Sequence, residues 1–202
     1  MQKIAVFGGT FNPIHNGHVH LATEFSKRLN ADQVLLIPSR VPPHKQAKDL
    51  ASSKDRLAMC RLAAHEYHFE VSEIELERTG LSYTSDTLRE LKQIYPDAEL
   101  FFITGEDMFL TLASWHEAKS IFSLATLCAA PRSYSGMEKL SRYSEFLREN
   151  GAKTVIENID YLPISSTMVR TAAKQGKNLT ALVPVTVADY IIENKLYLER
   201  EP

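Results

Sequence analysis

Two imidazoles three residues apart, set behind a pair of glycines, are the first residues of this chain whose types and spacing suit chemistry. The segment reads Gly8-Gly9-Thr10-Phe11-Asn12-Pro13-Ile14-His15-Asn16-Gly17-His18. Gly8 and Gly9 carry no side chain that would block a close backbone approach. A helix beginning after them points amides that lack intrahelical partners into the same space. His15 and His18 flank Gly17 at a spacing that can turn both rings toward an anion at the helix start. Zinc is a poor reading without a third ligand. The bland alternative is a glycine turn followed by histidines on a surface helix end. The coincidence of the glycine pair, Thr10, a prolyl turn and both histidines after one strand favours a phosphate site.

A second set lies near the other end. Ser165, Ser166 and Thr167 are N-cap candidates for a helix that carries Arg170 one turn further on the same side. An ordinary cap accounts for the hydroxyls. Hydroxyls, exposed amides and a guanidinium at one helix start also suit the β- and γ-phosphates of a nucleotide such as ATP, and the two readings are compatible.

The elements that must position these groups follow from periodicity. Ile4 to Phe7 is an apolar run stopped by glycine, which predicts a buried strand. Leu21, Ala22, Phe25 and Leu29 share a helical face from about His18 to Leu29, and Val34 to Ile37 predicts a second strand. Strand, helix, strand in so short a length requires a parallel pair with a right-handed crossover. Pro38 to Leu50 has three prolines and no periodicity, as a long loop would. Ser52 caps a predicted helix burying Leu57, Cys60 and Ala64 and ending near His65. Further strands are predicted at Val71 to Leu76, Leu100 to Ile103, Leu124 to Ala130 and Thr154 to Ile159. Further helices are predicted at Thr84 to Tyr95, around Leu140 to Leu147, from Met168 to Ala173, and from Pro184 onward. The pattern predicts a doubly wound α/β fold with a Rossmann-like parallel sheet, expected as one domain over residues 1–202.

Composition narrows the partners. Hydrophobic residues make up 44% and charged residues 24% of the 202, ordinary values for a globular chain. A net charge of −2 offers no global positive field for nucleic acid. Cys60 and Cys128 sit in apolar stretches without metal-ligand spacing, and no apolar run approaches membrane-spanning length. The expectation is a cytoplasmic protein acting on small molecules, with a homo-oligomer left open.

His15-Asn16-Gly17-His18 resembles the His-x-Gly-His signature of the nucleotidyltransferase superfamily related to class I aminoacyl-tRNA synthetases. Ile164-Ser165-Ser166-Thr167-Met168-Val169-Arg170 resembles that superfamily's second signature, in the expected order. Within it, three internal segments look like those of bacterial nicotinate-nucleotide adenylyltransferases. They are Ile37-Pro38-Ser39-Arg40-Val41-Pro42-Pro43-His44-Lys45, then Arg78-Thr79-Gly80-Leu81-Ser82-Tyr83-Thr84-Ser85-Asp86-Thr87-Leu88, then Gly105-Glu106-Asp107 with Trp115 beyond. A shorter pantetheine-phosphate enzyme of the same fold would not be expected to carry all three.

The resemblance implies transfer of an adenylyl group from ATP, with Mg2+, to nicotinate mononucleotide, releasing pyrophosphate. It implies His15, His18, Lys45 and Arg170 as catalytic donors. ATP would be held by Gly8, Gly9, Thr10, Phe11, His18, Gly105, Asp107, Ile164, Ser165, Ser166, Thr167 and Arg170. The mononucleotide would meet Thr10, His15, His44, Lys45, the Tyr83-Thr84 backbone at its carboxylate, and Trp115 stacked on its ring. Bland alternatives stand beside these: a lone Trp is often core, Asp107 could cap a helix, and a basic loop is usually solvated. Mg2+ would sit mainly on phosphate oxygens and water, without a carboxylate cage. Two departures stand out: Asn12 replaces the usual Asp, and Glu106 a smaller residue. Nicotinamide mononucleotide is the nearest alternative acceptor, and a non-catalytic nucleotide-binding module the more distant one. A tRNA-charging enzyme is disfavoured by the absence of room for an anticodon-reading domain.

Overall fold

Apolar runs buried on both faces build the sheet first. The structure, a computed structural model, describes residues 1–40 and 49–198, with the backbone alone at Tyr134. Strands β1 (Lys3–Gly9), β2 (Gln33–Pro38), β3 (Glu70–Val71), β4 (Glu99–Gly105), β5 (Thr126–Ala130) and β6 (Lys153–Ile156) form one sheet in the order β3-β2-β1-β4-β5-β6. Every pairing is parallel. Alternate residues of each central strand feed opposite cores. Ala5, Phe7, Leu36 and Ile103 face one side, and Ile4, Val6, Ile37 and Phe102 the other.

Helices cover each face. On the first side lie α1 (Asn16–Leu29), α2 (Ser53–Tyr67), and, late in the chain, α8 (Ser166–Lys174) and α9 (Val185–Glu193). The other side carries α4 (Thr84–Ile94), α6 (Ala118–Leu124) and α7 (Tyr134–Glu149), with two short turns, α5 (Glu106–Phe109) and a 3-10 helix (Leu112–Ser114), ahead of α6. The strand order reverses between β1 and β4, so their carboxyl ends open the crevice where such sheets bind ligands. Among the described residues no helix is long and apolar enough to cross a membrane. Cys60 and Cys128 are both buried and unpaired, packed as small apolar groups.

Three strand boundaries differ from the sequence reading. The predicted strand from Val71 to Leu76 ends after Val71, and Ile74–Glu77 forms a single helical turn, α3. The last rung is Ser72 N–H to the Leu36 carbonyl, 2.9 Å. In a parallel ladder the next donor would come from Pro38, which has no N–H. At the other edge the strand predicted to Ile159 stops at Ile156. Glu157 donates to Ala129 at 3.1 Å, and the following donor would be Pro131. Thus a proline at the carboxyl end of each neighbouring strand ends the ladder. The run predicted as strand from Leu124 begins instead at Thr126, because Leu124 closes α6 and a continuous apolar run does not reveal where a helix hands over to a buried strand.

Phe25 anchors α1 to the sheet and is fully buried. Truncation to Ala is expected to lower stability by about 3 to 5 kcal/mol, read as the shift in a reversible urea melt. A loss below about 1 kcal/mol would mean that α1 is not held by this contact.

Candidate active site

The loop after β1 is shaped by what its carbonyls bond. Thr10 O accepts from Arg56 Nη1 at 2.7 Å, Asn12 O from Arg170 Nη1 at 2.9 Å, and Pro13 O from the Ser166 hydroxyl at 3.0 Å. Three carbonyls of the loop are therefore each held by a donor from elsewhere in the chain. Two of those donors, Ser166 and Arg170, belong to α8, so the second signature is bonded directly to the loop that leads into the first. Arg56 is 0% exposed and also donates to the carbonyls of Ala51 and Arg40, at 3.3 and 3.4 Å.

Asn12, the departure noted in the sequence, has a defined task. Its Nδ2 donates to the Asp49 carbonyl at 2.9 Å, while its Oδ1 accepts from Ala51 N and the Tyr197 hydroxyl, each at 3.0 Å. An aspartate could make the last two bonds but not the first. The side chain thus braces the loop. Gly9 leaves room for the Phe11 ring, which a Cβ would meet at 3.0 Å, and Gly17 leaves room for the His15 ring, at 3.1 Å. At these two positions glycine admits protein side chains.

His15 caps α1 and stacks on His18 with ring centroids 3.6 Å apart and planes 25° from parallel. The His15 backbone N–H donates to His18 Nδ1 at 3.3 Å, so the neutral His18 ring keeps its proton on Nε2. Phe7 and Phe11 set their edges against the same ring. Burial, reinforced by the charge of Arg132, pushes the His15 imidazole down to about 4, and only its backbone hydrogen bond opposes this. At neutral pH His15 therefore offers N–H, not a cation. Its Nδ1 is buried without a hydrogen-bond partner among the described residues.

These groups open on a cavity of about 590 Å3 at the carboxyl ends of β1 and β4. Gly8, Gly9, Thr10, Phe11, His15, His18, Tyr83, Thr84, Gly105, Trp115, Ile164, Ser165, Ser166, Thr167 and Arg170, all expected from the sequence, line it. His44 and Lys45 lie outside the described residues. Asp107 does not line the cavity; its side chain is 69% exposed and pairs with Arg132. Glu106 turns its carboxylate to the start of α7, accepting from Arg132 N at 2.6 Å.

At one helix start, Ser165 caps α8 by accepting from Met168 N at 3.2 Å, which leaves the Ser166 and Thr167 amides without intrahelical partners. Arg170 also donates to the Thr167 hydroxyl at 3.3 Å, and its Nε is buried without a partner among the described residues. The cap reading and an anion site coexist here. At the start of α4, Tyr83 N–H is taken by the Leu81 carbonyl at 3.2 Å, whereas Thr84 supplies the first amide of the helix. Of that dipeptide, Thr84 is the donor open to an anion. Trp115 is half-buried, donates to the Thr111 hydroxyl at 3.1 Å and stands edge-on to Phe102.

The sequence reading missed Arg132, His116, Glu75 and Arg56. Arg132 lines the cavity directly after Pro131, and a basic residue following an apolar strand at its proline stop was the signal available. His116 lines it too, stacked on Tyr83 at 4.2 Å, next to the Trp already singled out. Glu75 and Arg56 gave no local signal, since both act through residues distant in sequence.

The lowered His15 pKa has a measurable consequence. An unfolded His takes up its proton near 6.5. The buried neutral ring therefore contributes stability that is fully present above that pH and is lost as pH falls toward 4. In an NMR titration of the ligand-free protein the His15 ring should stay neutral down to about 4. A midpoint near 6.5 would contradict this burial.

Comparison with known proteins agrees with the geometry. The cytidylyltransferase-like family model matches residues 6–172. A probable nicotinate-nucleotide adenylyltransferase of Dehalococcoides mccartyi is 38% identical over 200 residues, covering 98% of each chain. One of Geobacillus thermodenitrificans is 39% identical over 199 residues, covering 98% of this chain and 87% of the relative. The fold is that of the Plasmodium falciparum nicotinic acid mononucleotide adenylyltransferase solved with NaAD, with TM-score 0.75 at 20% identity over 98% of each chain. The chain belongs to the cytidylyltransferase-like nucleotidyltransferases and, within them, to the family of nicotinate-nucleotide adenylyltransferases.

Proposed function

We propose that this chain joins ATP and nicotinate mononucleotide into deamido-NAD and pyrophosphate. The observation that carries the reading is the pair of helix starts, α1 and α8, which open on one cavity, with α8 bonded to the loop that leads into α1. Relatives named for this activity match over nearly the whole chain. An oxygen of the acceptor's 5′-phosphate attacks the α-phosphorus in line. The new O–P bond forms as the bond from the α-phosphorus to the bridging oxygen breaks, and that oxygen leaves with pyrophosphate. The nucleophile is already ionised at neutral pH, so neither a general base nor a covalent intermediate is required.

Catalysis then comes from alignment and from donors placed where charge develops. His18 Nε2–H and the neutral His15 ring serve the α-phosphate. The Ser166 and Thr167 amides with Arg170 serve the β- and γ-phosphates, and Lys45 adds charge. Trp115 offers a flat face to the pyridine ring, and the Thr84 amide meets its carboxylate. Among the described residues no three His, Cys, Asp or Glu side chains converge so as to hold a metal ion. Mg2+ comes with ATP as part of that substrate, on phosphate oxygens and water. Buried, unpaired Cys60 and Cys128 suit the reducing cytoplasm in which we place the reaction.

The test supplies ATP with nicotinate mononucleotide or nicotinamide mononucleotide and follows pyrophosphate and dinucleotide formation. Deamido-NAD formed with clear preference for the acid supports the proposal; turnover of neither acceptor would sink it. In the same assay His18→Ala should reduce kcat by about a hundred- to a thousandfold. Undiminished turnover would remove His18 from the mechanism.

A further inference from the structure

Beneath the cavity wall formed by the start of α4 lies a carboxylate that the transfer reaction does not use. Glu75, on the one-turn helix α3, is 7% exposed and lines the cavity with Ser82, Tyr83, Thr84 and Thr87. The Thr87 hydroxyl lies 2.7 Å from Glu75 Oε1 and 3.2 Å from the Tyr83 carbonyl, and it donates to the nearer, carboxyl oxygen. The Ser82 hydroxyl bonds the same carboxylate and accepts from Arg40 N at 3.1 Å. Arg78 completes the network. Its Nη2 donates to Thr87 Oγ1 at 3.0 Å and to the Tyr83 carbonyl at 3.4 Å, while its Nη1 pairs with Glu90 at 2.8 Å.

Burial pushes the Glu75 carboxyl above the usual carboxylate range, against the Thr87 and Ser82 hydrogen bonds and the Arg78 charge, while Glu90 adds to the rise. A buried acid is costly unless hydrogen-bonded, and the residues that bond this one flank Thr84 on both sides. Tyr83, the N-cap of α4, makes no side-chain cap bond, so the first amide of the helix is placed by what holds residues 82 and 87.

We propose that Glu75 is a positioning residue for acceptor discrimination: through the Ser82 and Thr87 hydroxyls it fixes the turn that aims the Thr84 amide at the acceptor's ring carboxylate. It touches no substrate itself. The proposal rests on the reading of this end of the cavity as the acceptor subsite.

Glu75→Ala, Glu75→Gln and Thr87→Val test it in steady-state assays with ATP and either pyridine mononucleotide. Glu75→Ala should raise KM for nicotinate mononucleotide about ten- to a hundredfold, leave KM for ATP within about twofold, and erode the preference for acid over amide. Glu75→Gln keeps an oxygen for Thr87 and should recover most of the loss, whereas Thr87→Val should reproduce it. Thermal melts verify folding, and if Glu75→Ala does not fold, Thr87→Val carries the test. Parallel rises in both KM values, or an unchanged acid-to-amide preference in folded variants, would overturn the proposal. A wild-type enzyme without any preference for the acid would instead overturn the acceptor reading, and the proposal with it.

Discussion

The site depends on three carbonyl oxygens being occupied. A loop that must hold its shape beside an anion is fixed through its peptide oxygens, and here those of Thr10, Asn12 and Pro13 are each bonded, by Arg56, Arg170 and Ser166. The donors come from α2 and α8, elements that flank the loop in space and are far from it in sequence. Binding the signature loop therefore also brings the second helix start to the first. The fold and the site are one construction: docking α8 on the sheet delivers Arg170 to the cavity.

Arg56 shows how strongly this arrangement is held. A guanidinium removed from water costs several kcal/mol unless compensated, and among the described residues Arg56 meets carbonyls and one hydroxyl rather than a carboxylate. Its planar fork reaches the Thr10, Arg40 and Ala51 backbones together, which the single ammonium of Lys would not do in the same geometry. The cation thus fixes the signature loop to both described shoulders of the β2 to α2 connection. Asn12 adds to the same clamp from the other side, through Asp49, Ala51 and Tyr197.

What could be read from the sequence was local in origin. The glycine-stopped first strand, the helical face from Leu21 to Leu29, the Ser52 and Ser165 caps and the two signature segments each rest on neighbouring residues, and each was found where expected. What was not legible depends on neighbours in space. Pro38 and Pro131 end the strands paired to them as well as their own, so no pattern in residues 71–76 or 154–159 could show the stop. The turns at Ile74–Glu77 and Glu106–Phe109 are too short for periodicity to register. Asn12 stood in the sequence as a departure from the usual Asp, and only its partners show that it braces a loop. The stacking of His15 on His18 and the burial that keeps the His15 ring neutral are likewise tertiary facts.

The most direct measurement is a crystal structure with a non-hydrolysable ATP analogue. The triphosphate is expected between the starts of α1 and α8, with the α-phosphate against His18 and the outer phosphates on the Ser166 and Thr167 amides beside Arg170. A triphosphate bound away from both helix starts, or touching neither His18 nor Arg170, would contradict the assignment of this cavity to nucleotidyl transfer.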